Sequence, residues 1–224
     1  MARDQRRYDA VLLDAYGTLV ELDDPFARLR AAVRRHLAAE VEPAEAERAF
    51  REEMAYYSGH CHLAGDAEGL AALRADCARV LLAELGIEAG AEAGERVLSD
   101  AVSFHVLPDV EPLLAGLAES GAAAAVVSNW DFSLRRTLAG VGLDFDAIVT
   151  CGETGVRKPD PRIFLEALGR LGVEPGRALH VGDSRDTDGA GAAAAGIDAR
   201  ILDRTGAGGG RDTIAALTDV LELL

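Results

Sequence analysis

The feature that most limits what this chain can fold into is an alternation in its second half. Apolar runs at 122–127, 147–150, 178–181 and 198–202 are separated by amphipathic stretches at 132–140, 161–171 and 188–195, with another at 109–119 ahead of the first. Runs this short and continuous are buried on both faces, and strands joined through helices run parallel. The expected class is α/β: a doubly wound parallel sheet with a Rossmann-like core, covered by helices on both faces. Tyr8 to Leu13 supply one more strand, which stops abruptly at Asp14, with Gly17 marking the turn.

Between these parts the pattern is helical. Asp24-Pro25 offers an N-cap followed by proline, and Phe26, Leu29, Val33 and Leu37 recur at helical spacing. A second helix is expected near Pro43, a third along Leu70, Leu73, Cys77 and Leu81 before Gly86, and a fourth over 91–105. No strand is expected from about 20 to 106. At about 150 residues per domain, 224 residues correspond to one domain with an insertion. The core is assigned to 1–20 and 107–224, and the insertion to 21–106. After the last strand, the glycine-rich stretch from Thr205 to Asp212 reads as a loop and Thr213 to Leu223 as a final helix.

Charge narrows the partners. With 38 acidic against 23 basic residues the net charge is −15, which repels nucleic-acid backbones and anionic membrane surfaces. No apolar run approaches the roughly 18 residues of a membrane span, and the apolar stretch after the basic start, Met1 to Arg7, is interrupted by Asp14. A soluble, unprocessed, cytoplasmic protein is expected. Cys61, Cys77 and Cys151 are odd in number, widely spaced and without a Cys-x-x-Cys pair, so free thiols are expected. His60 and His62 flank Cys61 without a partner cluster and are assigned to packing. Gly189-Ala-Gly191 with Gly196 lacks the spacing of a dinucleotide fingerprint, and Gly206 to Gly210 lacks the lysine of a phosphate loop.

In an open α/β sheet the site lies outside the carboxyl ends of the strands. Collected there are Asp14, Tyr16 and Thr18; Ser128 and Asn129; Lys158; and Asp183, Asp186 and Asp188. Asp186 is read as a helix-start charge. Asp14-x-x-x-Thr18, Ser128-Asn129, Lys158-Pro159 and Gly182-Asp183-x-x-x-x-Asp188 resemble, in order, the four motifs of the haloacid dehalogenase superfamily. The helical insertion resembles the four-helix cap of its subfamily I. Two like charges 4 Å apart repel by about 4 kcal/mol at an effective dielectric near 20, so three clustered aspartates call for a cation, and oxygen-only ligands suit Mg²⁺.

The resemblance implies a metal held by Asp14, the backbone carbonyl of Tyr16, and Asp183, with Asp188 in the same acidic group. It implies nucleophilic attack by Asp14 on a small phosphate ester or anhydride, giving an aspartyl-phosphate. Lys158 then neutralises charge, Ser128 holds phosphoryl oxygens, and Thr18, Tyr16 and Asn129 border the substrate. One position departs from the family phosphatases, which carry a second acid/base aspartate where Tyr16 stands; a phenol of ordinary pKa near 10 is a poor base at neutral pH. The form Asp-x-Tyr-Gly-Thr resembles the 2-haloacid dehalogenases, which displace halide through an aspartyl ester without a metal, and Arg51, followed by Tyr57, falls where those enzymes keep a substrate-binding arginine. They replace Gly-Asp of the fourth motif by Ser-Ser, whereas Gly182-Asp183 is intact here. Metal-dependent hydrolysis therefore ranks above dehalogenation, and both above a weakened binding or regulatory role. The expected partner is a small anionic substrate, and the expected state a monomer or homodimer.

Overall fold

The computed structural model describes residues 7–206 and 210–224. The basic start up to Arg6 and residues 207–209 of the glycine-rich stretch lie outside the described residues. Strand β1 (Ala10–Leu13) is followed by β2 (Val20–Leu22), then by helices α1 (Pro25–Leu37), α2 (Pro43–His60), α3 (Ala67–Glu84) and α4 (Ala91–Ala101), and by β3 (Phe104–Val106). The alternating half runs α5 (Val110–Ser120), β4 (Ala123–Ser128), α6 (Leu134–Gly140), β5 (Ala147–Thr150), α7 (Cys151–Thr154), α8 (Pro161–Leu171), β6 (Ala178–Gly182), α9 (Ala190–Ala194), β7 (Asp198–Leu202) and β8 (Thr213–Ile214).

Six strands form one sheet in the order β5-β4-β1-β6-β7-β8, and every pairing in it is parallel. Side chains alternate between its faces, as the pleat requires. Ala10 and Leu12 of β1, with Ala125 and Val127 of β4, join Ile163, Phe164 and Leu168 of α8 on one face. Val11, Leu13 and Val126 join Leu113 and Leu117 of α5 and Leu134 and Leu138 of α6 on the other. Helices on both faces give the doubly wound arrangement expected from the sequence.

Within the insertion α1 packs on α2 and α4, and α3 packs on the same two helices. Asp24 caps α1 as expected, its Oδ1 accepting from the Ala27 N–H at 3.3 Å with Pro25 in the first turn. The apolar interior of the four helices, including Leu29, Leu81 and Val97, is continuous with the α8 side of the sheet. At the seam the Phe132 N–H donates to the Ala64 carbonyl at 3.0 Å, and Gly152 sits so close to Ala64 and Asp131 that a Cβ there would overlap backbone at 2.6 to 2.8 Å.

Four expectations need correction. The stretch from 20 to 106 is not helical throughout: β2 and β3 pair antiparallel, Val20 opposite Val106, and tie the two ends of the insertion together. The fourth helix accordingly stops at Ala101 rather than continuing to 105, because Phe104, His105 and Val106 pair with β2. The final segment is a two-residue strand beside β7 and a 3-10 helix, Leu217–Leu223, in place of an α-helix from Thr213. The helix expected over 188–195 opens as a π turn, Arg185–Gly189, before α9; such turns are frequent at functional sites. Among the described residues no helix is long and apolar enough to cross a membrane.

Candidate active site

β1 is the topological switch point, with β4 on one side and β6 on the other. Asp14 leaves β1 there, its N–H donating to the Val181 carbonyl of β6 at 2.9 Å. Ser128 ends β4 and is 3% exposed, Asp183 follows β6, and Lys158 reaches the same point from the loop between α7 and α8. The fold thus brings together Asp14, Ser128, Lys158, Asp183 and Asp188 from four separate segments.

The charges are arranged asymmetrically. Lys158 Nζ lies 2.6 Å from Asp14 Oδ1 and 2.6 Å from Asp188 Oδ1, its side chain almost fully enclosed. Both contacts are ion pairs, and the one with Asp188 is also a hydrogen bond from the ammonium to Oδ1. Burial works against the ammonium, yet the two carboxylates outweigh it and hold the Lys158 pKa above its ordinary value. Burial would likewise raise Asp188, but the Lys158 charge and the His180 hydrogen bond keep that carboxyl below the usual carboxylate range. For Asp183 burial wins: together with the Asp14 and Asp188 charges it pushes the carboxyl up to about 6.

Asp14, Asp183 and Asp188 each bring one carboxylate oxygen to within 4.8 Å of the others, and a single lysine faces three carboxyl groups. This all-oxygen set, with negative charge left over, fits a hard divalent cation. Asp188 is the least available member. Its Oδ1 accepts from Lys158 and from His180 Nε2 at 2.8 Å, and its Oδ2 accepts from the Ser184 N–H at 3.2 Å. Asp14 and Asp183 remain the freer candidates for direct metal contact, while Asp188 is engaged by Lys158, His180 and the Ser184 N–H.

Two glycines make the crowding possible. Gly17 has φ of +76°, and a Cβ on it would run into the Asp183 carboxyl; a Cβ on Gly182 would run into that of Asp188. Both stand within the motifs for steric reasons.

Other predicted residues take different places. Asn129 is not a simple substrate contact: its Oδ1 accepts from the Lys158 N–H at 2.8 Å and its Nδ2 donates to the Lys158 carbonyl at 3.1 Å, so both ends of the amide are engaged. Thr18 is fully enclosed, and its backbone carbonyl accepts from Arg204 at 3.2 Å. Arg51 stays on the exposed face of α2, paired with Glu47 at 2.5 Å one turn away, and is not part of the site. Tyr16 is 41% exposed at the entrance, and burial of the ring with the nearby Glu21 and Asp183 charges raises its phenol further above neutral pH. Asp186 is exposed and outside the cluster.

A cavity of about 880 Å³ opens beside Tyr16 and Asn129 and extends between the core and the insertion. Tyr57 of α2 lines it and donates from its hydroxyl to Asp131 Oδ2 at 2.8 Å, while Asp131 Oδ1 accepts from the Ser133 N–H at 2.7 Å. Glu53, one turn before Tyr57, also lines it; burial pushes its carboxyl up to about 7, a shift partly offset by a hydrogen bond with Cys77. Glu53, Asp131 and His180 were missed from sequence. For Glu53 a signal existed, since it completes the buried stripe of Ala46, Ala49 and Phe50, where an apolar residue belongs. All three cysteines are free, as expected, but Cys61 and Cys151 meet across the seam with their sulfurs 3.3 Å apart.

Haloacid dehalogenase-like hydrolase domain-containing protein 3 of Bos taurus is 34% identical over 194 residues, 82% of this chain and 77% of that protein. The mouse protein of that name is 46% identical over 101 residues, 44% of this chain and 40% of its own length. A HAD phosphatase from Thermococcus onnurineus superposes with a TM-score of 0.65 at 27% identity, covering 96% of this chain and 97% of its own. A 2-haloacid dehalogenase from Pseudomonas syringae does so with a TM-score of 0.68 at 25% identity, again covering 96% and 97%. The family model described as haloacid dehalogenase-like hydrolase matches residues 8–196, and the chain belongs to that family of hydrolases.

Proposed function

We propose that this hydrolase acts on small phosphate esters or anhydrides with the help of a divalent cation, most simply Mg²⁺, through an aspartyl-phosphate on Asp14. The observation that carries this is the group of Asp14, Asp183 and Asp188, the first and last buried and Asp183 open to solvent, which has one lysine to balance it. A metal-independent dehalogenase gains nothing from Asp183 in that place, and a haloacid carboxylate would be repelled by it. Asp14, Asp183 and the carbonyl of Tyr16 would hold the cation. When bound it neutralises carboxylate and phosphoryl charge, so that two anions can approach.

The chain's own groups supply the remaining work. A carboxylate oxygen of Asp14 forms a bond to phosphorus as the bond to the leaving oxygen breaks. Lys158, fixed by Asp188 and Asn129, offsets the charge that builds on the phosphoryl oxygens, and Ser128 donates to one of them. Water then attacks the phosphorus, its oxygen–phosphorus bond forming as the bond to Asp14 breaks; inorganic phosphate leaves, water's proton passes to the phosphate or to solvent, and the carboxylate is restored. With its pKa raised further, the Tyr16 phenol is a weaker acid toward the leaving oxygen than a carboxyl group and no base toward water at neutral pH, so weakly basic leaving groups such as anhydrides and aryl oxides are favoured. The helices between 21 and 106 act as a cap over the strand ends and choose the leaving group. The net charge of −15 disfavours nucleic acid and anionic membranes as partners, the small anionic substrate follows from the phosphoryl chemistry, and the three free thiols fit a cytoplasmic setting for a monomer or homodimer.

The test is hydrolysis of 4-nitrophenyl phosphate. Turnover that requires Mg²⁺ and disappears in Asp14→Asn supports the proposal. Tyr16 favours a second reading, dehalogenation, and metal-independent halide release from a 2-haloacid would establish it instead.

A further inference from the structure

The far wall of the cavity carries a group that the chemistry at Asp14 does not use. Glu53 is 3% exposed, lines the cavity, and has no hydrogen-bond partner for Oε2. The Cys77 thiol of α3 is the side chain that hydrogen-bonds to its carboxyl group. No cation of the chain is paired with it among the described residues. Arg96, on the same cavity, pairs with Glu92 at 2.7 Å, and Arg74 and Arg136 line its exposed rim without reaching Glu53.

Burying a carboxylate without a partner is costly, and stability alone would place leucine or methionine at this position of the α2 stripe. A buried acceptor left unmatched inside a ligand-sized cavity is matched when the ligand brings the donor. A cationic donor on the ligand favours the ionised form of this carboxyl over the protonated one, because the ionised form accepts at both oxygens and a charged donor returns the Coulomb energy that burial removes. Tyr16, beside the acidic cluster, and Glu53 both line this cavity.

We infer that Glu53 is a specificity-determining residue that receives an ammonium group on the leaving-group portion of the substrate, so that the preferred ligands are small phosphate compounds carrying a primary or secondary amine. This rests on the phosphatase reading for the position of the phosphoryl end.

The test uses non-hydrolysable probes, so it does not depend on turnover. Aminoalkylphosphonates with two to five carbons are compared by calorimetry, with Mg²⁺ present, with alkylphosphonates of equal length on the full chain. The expected result is at least about tenfold tighter binding of the amine at one or more chain lengths, the size of a charge-assisted hydrogen bond, and loss of that difference in Glu53→Gln. No preference at any length, no binding of either series, or a preference that survives in Glu53→Gln would overturn the inference. Should Glu53→Gln fail to fold, the comparison within the unmodified protein still decides it. Failure of the 4-nitrophenyl phosphate assay would count against the phosphatase reading, and the phosphonate comparison would stand or fall separately.

Discussion

Asn129 grips the backbone of Lys158 from both sides, accepting from its N–H at 2.8 Å and donating to its carbonyl at 3.1 Å. The amide that follows β4 thereby fixes the loop that delivers the only lysine in the acidic cluster, and Asp188 fixes the other end of the same side chain at 2.6 Å. Asn129→Ala is expected to lower kcat for 4-nitrophenyl phosphate by about 10- to 100-fold, the usual consequence of a misplaced reacting group, with KM changed little. Steady-state kinetics separate this from a substrate-contact role, in which KM would rise first.

Gly17 should be intolerant of even one carbon. Alanine there meets the Asp183 carboxyl and must also adopt φ of +76°. Gly17→Ala is expected to weaken Mg²⁺ binding by at least about tenfold, in the range found when groups supporting a metal ligand are disturbed. Gly86 is the control, with φ of +66° and open space around it. Gly86→Ala should lower the melting temperature slightly and leave the calorimetric Mg²⁺ affinity unaltered.

Tyr16 stands at the entrance, 41% exposed, with its phenol pushed up by burial and neighbouring acids. Replacing it by aspartate would put a titratable carboxyl beside the leaving oxygen. Tyr16→Asp is expected to raise turnover of unactivated alkyl phosphates, by up to the roughly 10²- to 10⁴-fold that general acid–base catalysis contributes. Aryl phosphates, with their better leaving groups, should gain less. An unchanged or lower alkyl rate in a folded variant would contradict the missing-acid account.

Glu53 also sets a pH signature. Its carboxyl is raised by burial from 4.5 to about 7, so the folded state retains a proton that the unfolded chain has lost. The stability this provides is complete below about pH 4.5 and disappears as pH rises through about 7. Glu53→Gln does not titrate, so its stability relative to the unmodified protein should grow across that window, to a limit on the order of 3 kcal/mol, and then level off. Urea unfolding of both proteins at several pH values measures the difference, and contributions from the acidic cluster cancel between them.

The sheet and its strand-end residues were legible because each strand is a compact apolar run ending in a chemical group. Ala123–Ser128, Ala147–Thr150 and Asp198–Leu202 fall where the pattern puts them. The pairing of β2 with β3 was hidden: three residues carry no periodicity, and the partners lie at opposite ends of the insertion. The same separation concealed the approach of Cys61 to Cys151. Within the site, sequence named Asn129 but not its task, since an amide that serves a backbone and one that serves a ligand look alike in a motif. Arg51 shows the converse: its spacing suited a ligand, but the face of α2 it occupies points away from the cavity and toward Glu47. Glu53 broke the apolar stripe openly, and its meaning depended on the cavity beside it.

The shared apolar interior of α1, α3 and α4 with the α8 side of the sheet has a thermodynamic corollary. Helices that merely rested on the strand ends could melt first and leave a folded remnant. Here Leu29, Leu81 and Val97 belong to the cluster that contains Leu12, Val127 and Phe164, so the two parts should lose structure in a single cooperative event. The selectivity of the enzyme and its capacity for chemistry would then vanish at the same temperature.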